Sequence, residues 1–167
     1  MKLYFFIAAV ICLCYTSCSK KTQTQQDPNT NYTFRTFKND SYWQVKELSA
    51  IYNEKDSMIH VFADGPANER FSLSYFLKPK YVGKWESYRT NIIVPSCEHC
   101  ASIAKAYSLD TTRNNSFEIM GFEDKVNRIW GRFTFHFKSD SLYAGSYVKD
   151  AMIYRGLFSI PYKVQSF

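Results

Sequence analysis

Apolar residues are distributed along this chain in two different patterns. Leu3 to Cys14 is an unbroken apolar run with neither Gly nor Pro. From Phe34 onward, apolar and polar residues alternate in short segments, the period of a pleated strand with one face buried. The clearest alternation lies in Ile129 to Lys138, where Phe133, Phe135 and Phe137 point one way and Arg132, Thr134, His136 and Lys138 the other. Phe71, Leu73, Tyr75 and Leu77 share a face in the same manner, as do Tyr154, Gly156, Phe158 and Ile160 within Met152 to Tyr162. A glycine inside that last segment predicts a bulge or a close backbone approach.

Further strands are predicted over Phe34 to Lys38, Tyr42 to Leu48, Met58 to Ala63, Tyr81 to Tyr88, Asn91 to Val94, from Tyr107 onward, and over Phe117 to Phe122. Turn formers separate them: Asn39-Asp40, Asn53 to Asp56, Asp64-Gly65-Pro66, Arg113 to Asn115 and Ser139-Asp140. Asp124-Lys125 is placed to close a hairpin. The expected class is all-β, an antiparallel β-sandwich of roughly eight to ten strands, with a lipocalin-like closed barrel as the alternative. The one helical expectation is a short helix near 97–106, with Ser96 as its N-cap.

The apolar run at the start changes the organisation. Lys2 gives it a positive head, and Thr16 and Ser17 are the small residues that a signal peptidase requires. It is too short for a bilayer core of ~30 Å, which takes about twenty apolar residues, so a removed secretory signal is expected over 1–17. Tyr15-Thr16-Ser17-Cys18 resembles a bacterial lipobox, which implies that Cys18 carries the lipid, palmitate included, and becomes the new N-terminus. Tyr15 stands where Leu is usual, a looser form typical of the Bacteroidota. Ile11 and Leu13 precede Cys12 and Cys14 where a small residue is required, so neither can substitute. Ordinary cleavage that leaves Cys18 a free thiol is the alternative.

Ser19 to Tyr32 is polar and aperiodic, and reads as a flexible tether that completes segment 18–33, ahead of a single domain over 34–167. As a coil it would span roughly 20 Å. The formal charge of +6 falls to +5 when the signal is removed with Lys2, and the basic residues are scattered. That balance favours solubility and mild attraction to anionic membrane over a nucleic-acid groove.

Five cysteines include Cys12, Cys14 and Cys18, which leaves Cys97 and Cys100 in the body of the domain. In an exported chain Cys97-Glu98-His99-Cys100 is foremost a structural disulfide, with free thiols, a metal set of Cys97, His99 and Cys100, and redox catalysis as successively weaker readings. Strand and helix do not alternate around it as in a thioredoxin-like domain, and no second Cys-x-x-Cys completes a zinc ribbon. His60 and His136 fall in strands, where a lone histidine is more often a pair former than a ligand. The commonest hydrolase and nucleotide signatures do not occur, and no cofactor is called for.

From Tyr42-Trp43 through Trp130-Gly131-Arg132-Phe133-Thr134-Phe135 to Gly156-Leu157-Phe158-Ser159-Ile160-Pro161-Tyr162, the order of elements resembles small envelope lipoproteins of the Bacteroidota. That resemblance implies a β-sandwich and an outer-membrane, lipid-anchored location, facing either periplasm or surface. It brings no activity. Asp56-Ser57-Met58 and Asp140-Ser141-Leu142 resemble the Asp-Ser-apolar acceptors of protein O-glycosylation in the same bacteria, whereas Asp-Ser is also common turn chemistry. The expected function is non-enzymatic, a binding or accessory domain that engages envelope proteins or glycans through exposed aromatics, of which thirteen Tyr and fourteen Phe offer a large supply. A small-ligand carrier and, behind it, a thiol protein acting through Cys97 and Cys100 are the alternatives.

Overall fold

A computed structural model of the chain describes residues 33–77, 82–84, 86–140, 142 and 151–166. The signal at 1–17, Cys18, the tether through Tyr32 and the acceptor candidate Ser141 lie outside the described residues. What is described is all-β. Twelve strands, β1 (Thr33–Lys38), β2 (Ser41–Trp43), β3 (Glu47–Asn53), β4 (Met58–Asp64), β5 (Arg70–Phe76), β6 (Gly83–Lys84), β7 (Tyr88–Pro95), β8 (Ile103–Leu109), β9 (Ser116–Glu123), β10 (Arg128–Ser139), β11 (Ala151–Pro161) and β12 (Lys163–Gln165), belong to one sheet.

Their hydrogen-bonded order is β12-β3-β4-β5-β7-β8-β10-β11-β1-β2, with β9 joined to the first half of β10 and to β6. Every pair is antiparallel except β12 with β3. β2 and β12 end the order unpaired with each other, so the sheet is open and the closed barrel does not form. The sheet instead folds over its own apolar face. Phe71 on β5 lies 5.6 Å from Phe34 on β1 and 5.6 Å from Phe133 on β10, between ring centroids, and 6.3 Å from Tyr154 on β11. The β3-β4-β5-β7 half therefore covers the β9-β10-β11-β1 half as the second layer of a sandwich, and β8 carries the pairing from one half to the other.

β10 is the hub because its alternation is longest. It pairs with β11 from Arg128↔Pro161 to Lys138↔Ala151, with β9 along its first half, and with β8 over Phe137 to Ser139. Phe133, Phe135 and Phe137 are all buried as their period requires, and Phe133 and Phe135 stack at 5.0 Å. Asn39 and Asp40 both adopt positive φ in the two-residue turn between β1 and β2, the conformation that matches strand twist in a tight hairpin. Residues Asp124–Val126 form a 3₁₀ turn between β9 and β10, closed by Asn127 in the left-handed region. Gly156 makes a close approach without a bulge: a Cβ there would sit 2.6 Å from the carbonyl oxygen of Arg35 on the neighbouring strand.

Three sequence expectations change. The helix near 97–106 is absent; its second half is strand β8, paired with β7 from Asn91↔Ser108 to Pro95↔Ile103. Cross-strand pairing and the burial of Tyr107 outweigh the weak local helix preference of an Ala- and Lys-containing run. The single strand expected over Tyr42 to Leu48 is broken at 44–46, where the chain passes from β2 in one layer to β3 in the other. The count rises to twelve because the segment expected over Tyr42 to Leu48 divides into β2 and β3 and because β12, of three residues, is too short to display a period. Of the strand expected over Tyr81 to Tyr88, Gly83–Lys84 forms β6 and Tyr88 opens β7. Phe135→Ala should cost about 3–5 kcal/mol of unfolding free energy by denaturant titration, whereas the same truncation at exposed Phe62 should stay within roughly 0.5 kcal/mol.

Candidate functional site

The connection between β4 and β5 organises one end of the sheet. Asp64 and Arg70 face each other across the pair, and the intervening chain makes a tight 3₁₀ turn over Pro66–Asn68 with Ala67 and Asn68 at positive φ. Gly65 is required there by contact rather than by its own dihedral angles. A Cβ on it would lie 2.1 Å from a ring carbon of Trp43, so the indole rests on bare backbone. The Gly65 amide donates to the Glu69 carbonyl at 2.8 Å, and the turn directs the Glu69 side chain inward.

Glu69 is buried with three donors around its carboxylate: Trp43 Nε1 at 2.8 Å, the Tyr154 hydroxyl at 2.9 Å, and Lys38 Nζ. A carboxylate taken from water is tolerated only with such compensation. The contact joins the turn after β4 in one layer to β1, β2 and β11 in the other. Burial first, and then the negative charge of Glu69, hold the Tyr154 hydroxyl protonated far above the usual phenol range. Burial also raises Tyr75, with the neighbouring Tyr162 adding to the effect.

On the outer side of this turn is a cleft of about 230 Å³, lined by Lys46, Glu47, Asp64, Gly65, Asn68, Arg70, Glu98 and His99. Three connections build it. The Lys46 amide donates to the Asp64 carbonyl at 2.7 Å, which draws the β2–β3 link against the β4–β5 turn. Arg70 reaches Asp64 at 3.7 Å and donates to the Glu98 carbonyl at 3.2 Å, tying in the tip of the β7–β8 hairpin. That tip is closed by the Ser96 amide donating to the Ser102 carbonyl at 2.9 Å and by a disulfide between Cys97 and Cys100. With the two sulfurs bonded to each other, neither is a thiolate ligand, and the metal set of Cys97, His99 and Cys100 does not form. Among the described residues no three His, Cys, Asp or Glu side chains converge to hold a metal ion.

The cleft thus sets two cations, Lys46 and Arg70, against three carboxylates, with His99 at the rim. At this size it admits a single side chain or a small polar molecule; drug-sized ligands take roughly 300–1,000 Å³. The sequence pointed to Cys97, His99 and Cys100 but missed Lys46, Asp64, Arg70 and the buried Glu69. A lone Glu between a Gly-Pro turn and the strongly apolar face of β5 was the available signal for Glu69. The other residues become neighbours only through the β4–β5 and β7–β8 pairings. His60 and His136 stay apart, the first bonded to Ser74 at 2.9 Å, the second half-buried with its amide donating to Asn115 Oδ1 at 2.7 Å. Ser57 is exposed in the β3–β4 turn, where the Asp56 carboxylate accepts from the Met58 amide at 2.9 Å, which is the ordinary turn role of Asp-Ser.

Compared with family models, with curated proteins and with solved structures, the chain matches none.

Removing the Glu69 carboxylate leaves buried Trp43 and Tyr154 donors unmet, so Glu69→Ala should lose about 3 kcal/mol of stability and Glu69→Gln, which keeps an acceptor oxygen, distinctly less. An ordinary tyrosine titrates at about 10, and the unfolded chain releases its phenolic protons there while the folded chain holds those of Tyr75 and Tyr154. Their contribution is complete below that pH and is lost above it. Stability measured against pH should therefore be flat with respect to these groups until about 10 and then fall, with a shallower fall in Tyr154→Phe.

Proposed function

We propose that the chain is a lipid-anchored lipoprotein of the bacterial cell envelope whose β-domain binds a partner and carries out no chemistry of its own. The apolar run ending at Thr16-Ser17-Cys18 supports the anchor. The likeness to small envelope lipoproteins of the Bacteroidota supports an outer-membrane location. The observation that carries the binding role is the mixed-charge cleft gathered from three connections at one end of the sheet. Arg70 at its centre is engaged with Asp64 and with the Glu98 carbonyl, which fixes one cation of the pattern offered to a complementary polar group. The disulfide between Cys97 and Cys100 serves that pattern by holding Glu98 and His99 in place.

Aromatic residues contribute differently from the expectation. Most of the described Phe, Tyr and Trp side chains build the core, and Tyr42, Phe62 and Phe76 are the exposed exceptions. Partner recognition is assigned to the cleft rather than to an aromatic patch. The same packing weakens the carrier alternative, since rings such as Phe71, Phe133 and Phe135 fill the space between the layers by stacking on each other.

Cys18→Ala should move a folded domain from the membrane to the soluble fraction. A variant that stays on the membrane through an uncleaved apolar segment overturns the anchor. For the cleft, Arg70→Glu should abolish cross-linking from a photoreactive group at Asn68 to envelope partners, while Arg89→Glu, elsewhere on the surface, leaves it intact. Equal cross-linking in both would dismiss the cleft as the binding site.

A further inference from the structure

We infer that the outer face of β10, β11 and β1 lies against the anionic head groups of the bilayer that holds the chain. This deepens the lipid-anchor reading and rests on it. The residues of these strands that point away from the core alternate with the buried ones. Their registers place Leu157 directly between Arg35 and Arg132, and Arg155 directly between Phe37 and Thr134. Leu157, Ile153 and Tyr42 are 53%, 42% and 62% exposed, and Tyr42 meets Phe37 edge-on at 6.0 Å.

Charge on this face leans positive through Arg35: Arg132 pairs with Glu118 at 2.6 Å, Arg155 with Asp40 of the adjoining turn at 2.5 Å, Arg128 with Glu123, and Lys138 faces Asp110. Arg35 has no ion pair among the described residues. Arginines interspersed with exposed aliphatic and aromatic side chains match a head-group layer, where each basic residue is attracted by anionic lipid and Tyr or Trp favours the boundary. Trp130 belongs to the same face. A Cβ on Gly121 of the neighbouring strand would come within 2.2 Å of its ring, so the indole lies flat along the sheet instead of standing off it.

The opposite layer also has exposed residues, Phe62, Phe76 and Arg89, beside the bonded pairs Ser72 with Asn91 and His60 with Ser74, so composition alone does not choose between the faces. The position of the tether selects between the two faces. The chain enters the domain at Thr33, the first residue of β1, on the same strand and the same side as Arg35 and Phe37. With Cys18 in the membrane, the fourteen residues from Ser19 to Tyr32 let Thr33 stand no further away than about 50 Å even fully extended, which raises the effective concentration of that strand at the bilayer.

The test uses the acylated protein reconstituted in vesicles of phosphatidylcholine with phosphatidylglycerol, or of phosphatidylcholine alone. An environment-sensitive dye is attached through Leu157→Cys or, as the control, Phe62→Cys, and brominated lipid is the quencher. In the anionic vesicles the dye at 157 is expected to be quenched several-fold more than the dye at 62, and high salt or Arg35→Glu to weaken that contact about tenfold, with Arg35→Lys retaining it. A chain that floats with the vesicles but shows equal quenching at both positions overturns this face and leaves the anchor standing. A chain that does not float overturns the anchor and the face with it. Protection of the dye at 157 by a soluble acidic polysaccharide, without quenching by lipid, overturns the bilayer as occupant and favours a glycan.

Discussion

The stacking of Phe71 against Phe133 and Phe135 is the contact on which the two-layer arrangement depends. A single antiparallel sheet has no reason to double over unless both halves carry an apolar face, and these rings are the centres of those two faces. Every ring brought from water contributes through the area it buries, and close offset packing adds to that. β7 and β8 must then bend the sheet through the fold, which fixes where their connecting hairpin tip emerges. The cleft follows from that placement, since Arg70 opens β5 just before Phe71 and reaches the tip at Glu98.

Much of the architecture was legible from period-two alternation. β1, β4, β5, β9, β10 and β11 fall within a residue or two of their expected bounds, and Phe133, Phe135 and Phe137 face the core as their spacing requires. What failed shares one cause. At Cys97 to Ala106 the local signals were those of a helix start, yet the residues that decide the outcome are Asn91 to Pro95, with which the segment pairs. β12 is a strand only because β3 offers it hydrogen bonds, and a three-residue sequence cannot announce that.

The site was legible in a different proportion. Cys97 and Cys100 could be singled out by spacing, and their bond follows from residues three apart. Glu69 shows the limit. Its place between a Gly-Pro turn and the apolar face of β5 hints at burial, but its partners Lys38, Trp43 and Tyr154 are separated from it by 31, 26 and 85 residues and cannot be named from that stretch. Its burial is tolerable only when four strands have already met, so its role belongs to the assembled fold and not to any segment. The aromatic surplus misled for a related reason: composition counts rings without saying which side of a strand they occupy.

The pairing of chain ends has a consequence for how such a domain comes into being. Asn39 bonds with Ile153 across 114 residues, and Ser166 with Glu54 across 112, so both ends of the sheet wait on strands far along the chain from their partners. β1 has no partner beyond the short β2 until β11 exists, and β3 lacks its outer neighbour until β12 arrives. Contacts so distant in sequence close slowly. The wiring therefore builds a delay into folding: the domain cannot lock before β11 and β12 have reached their partners.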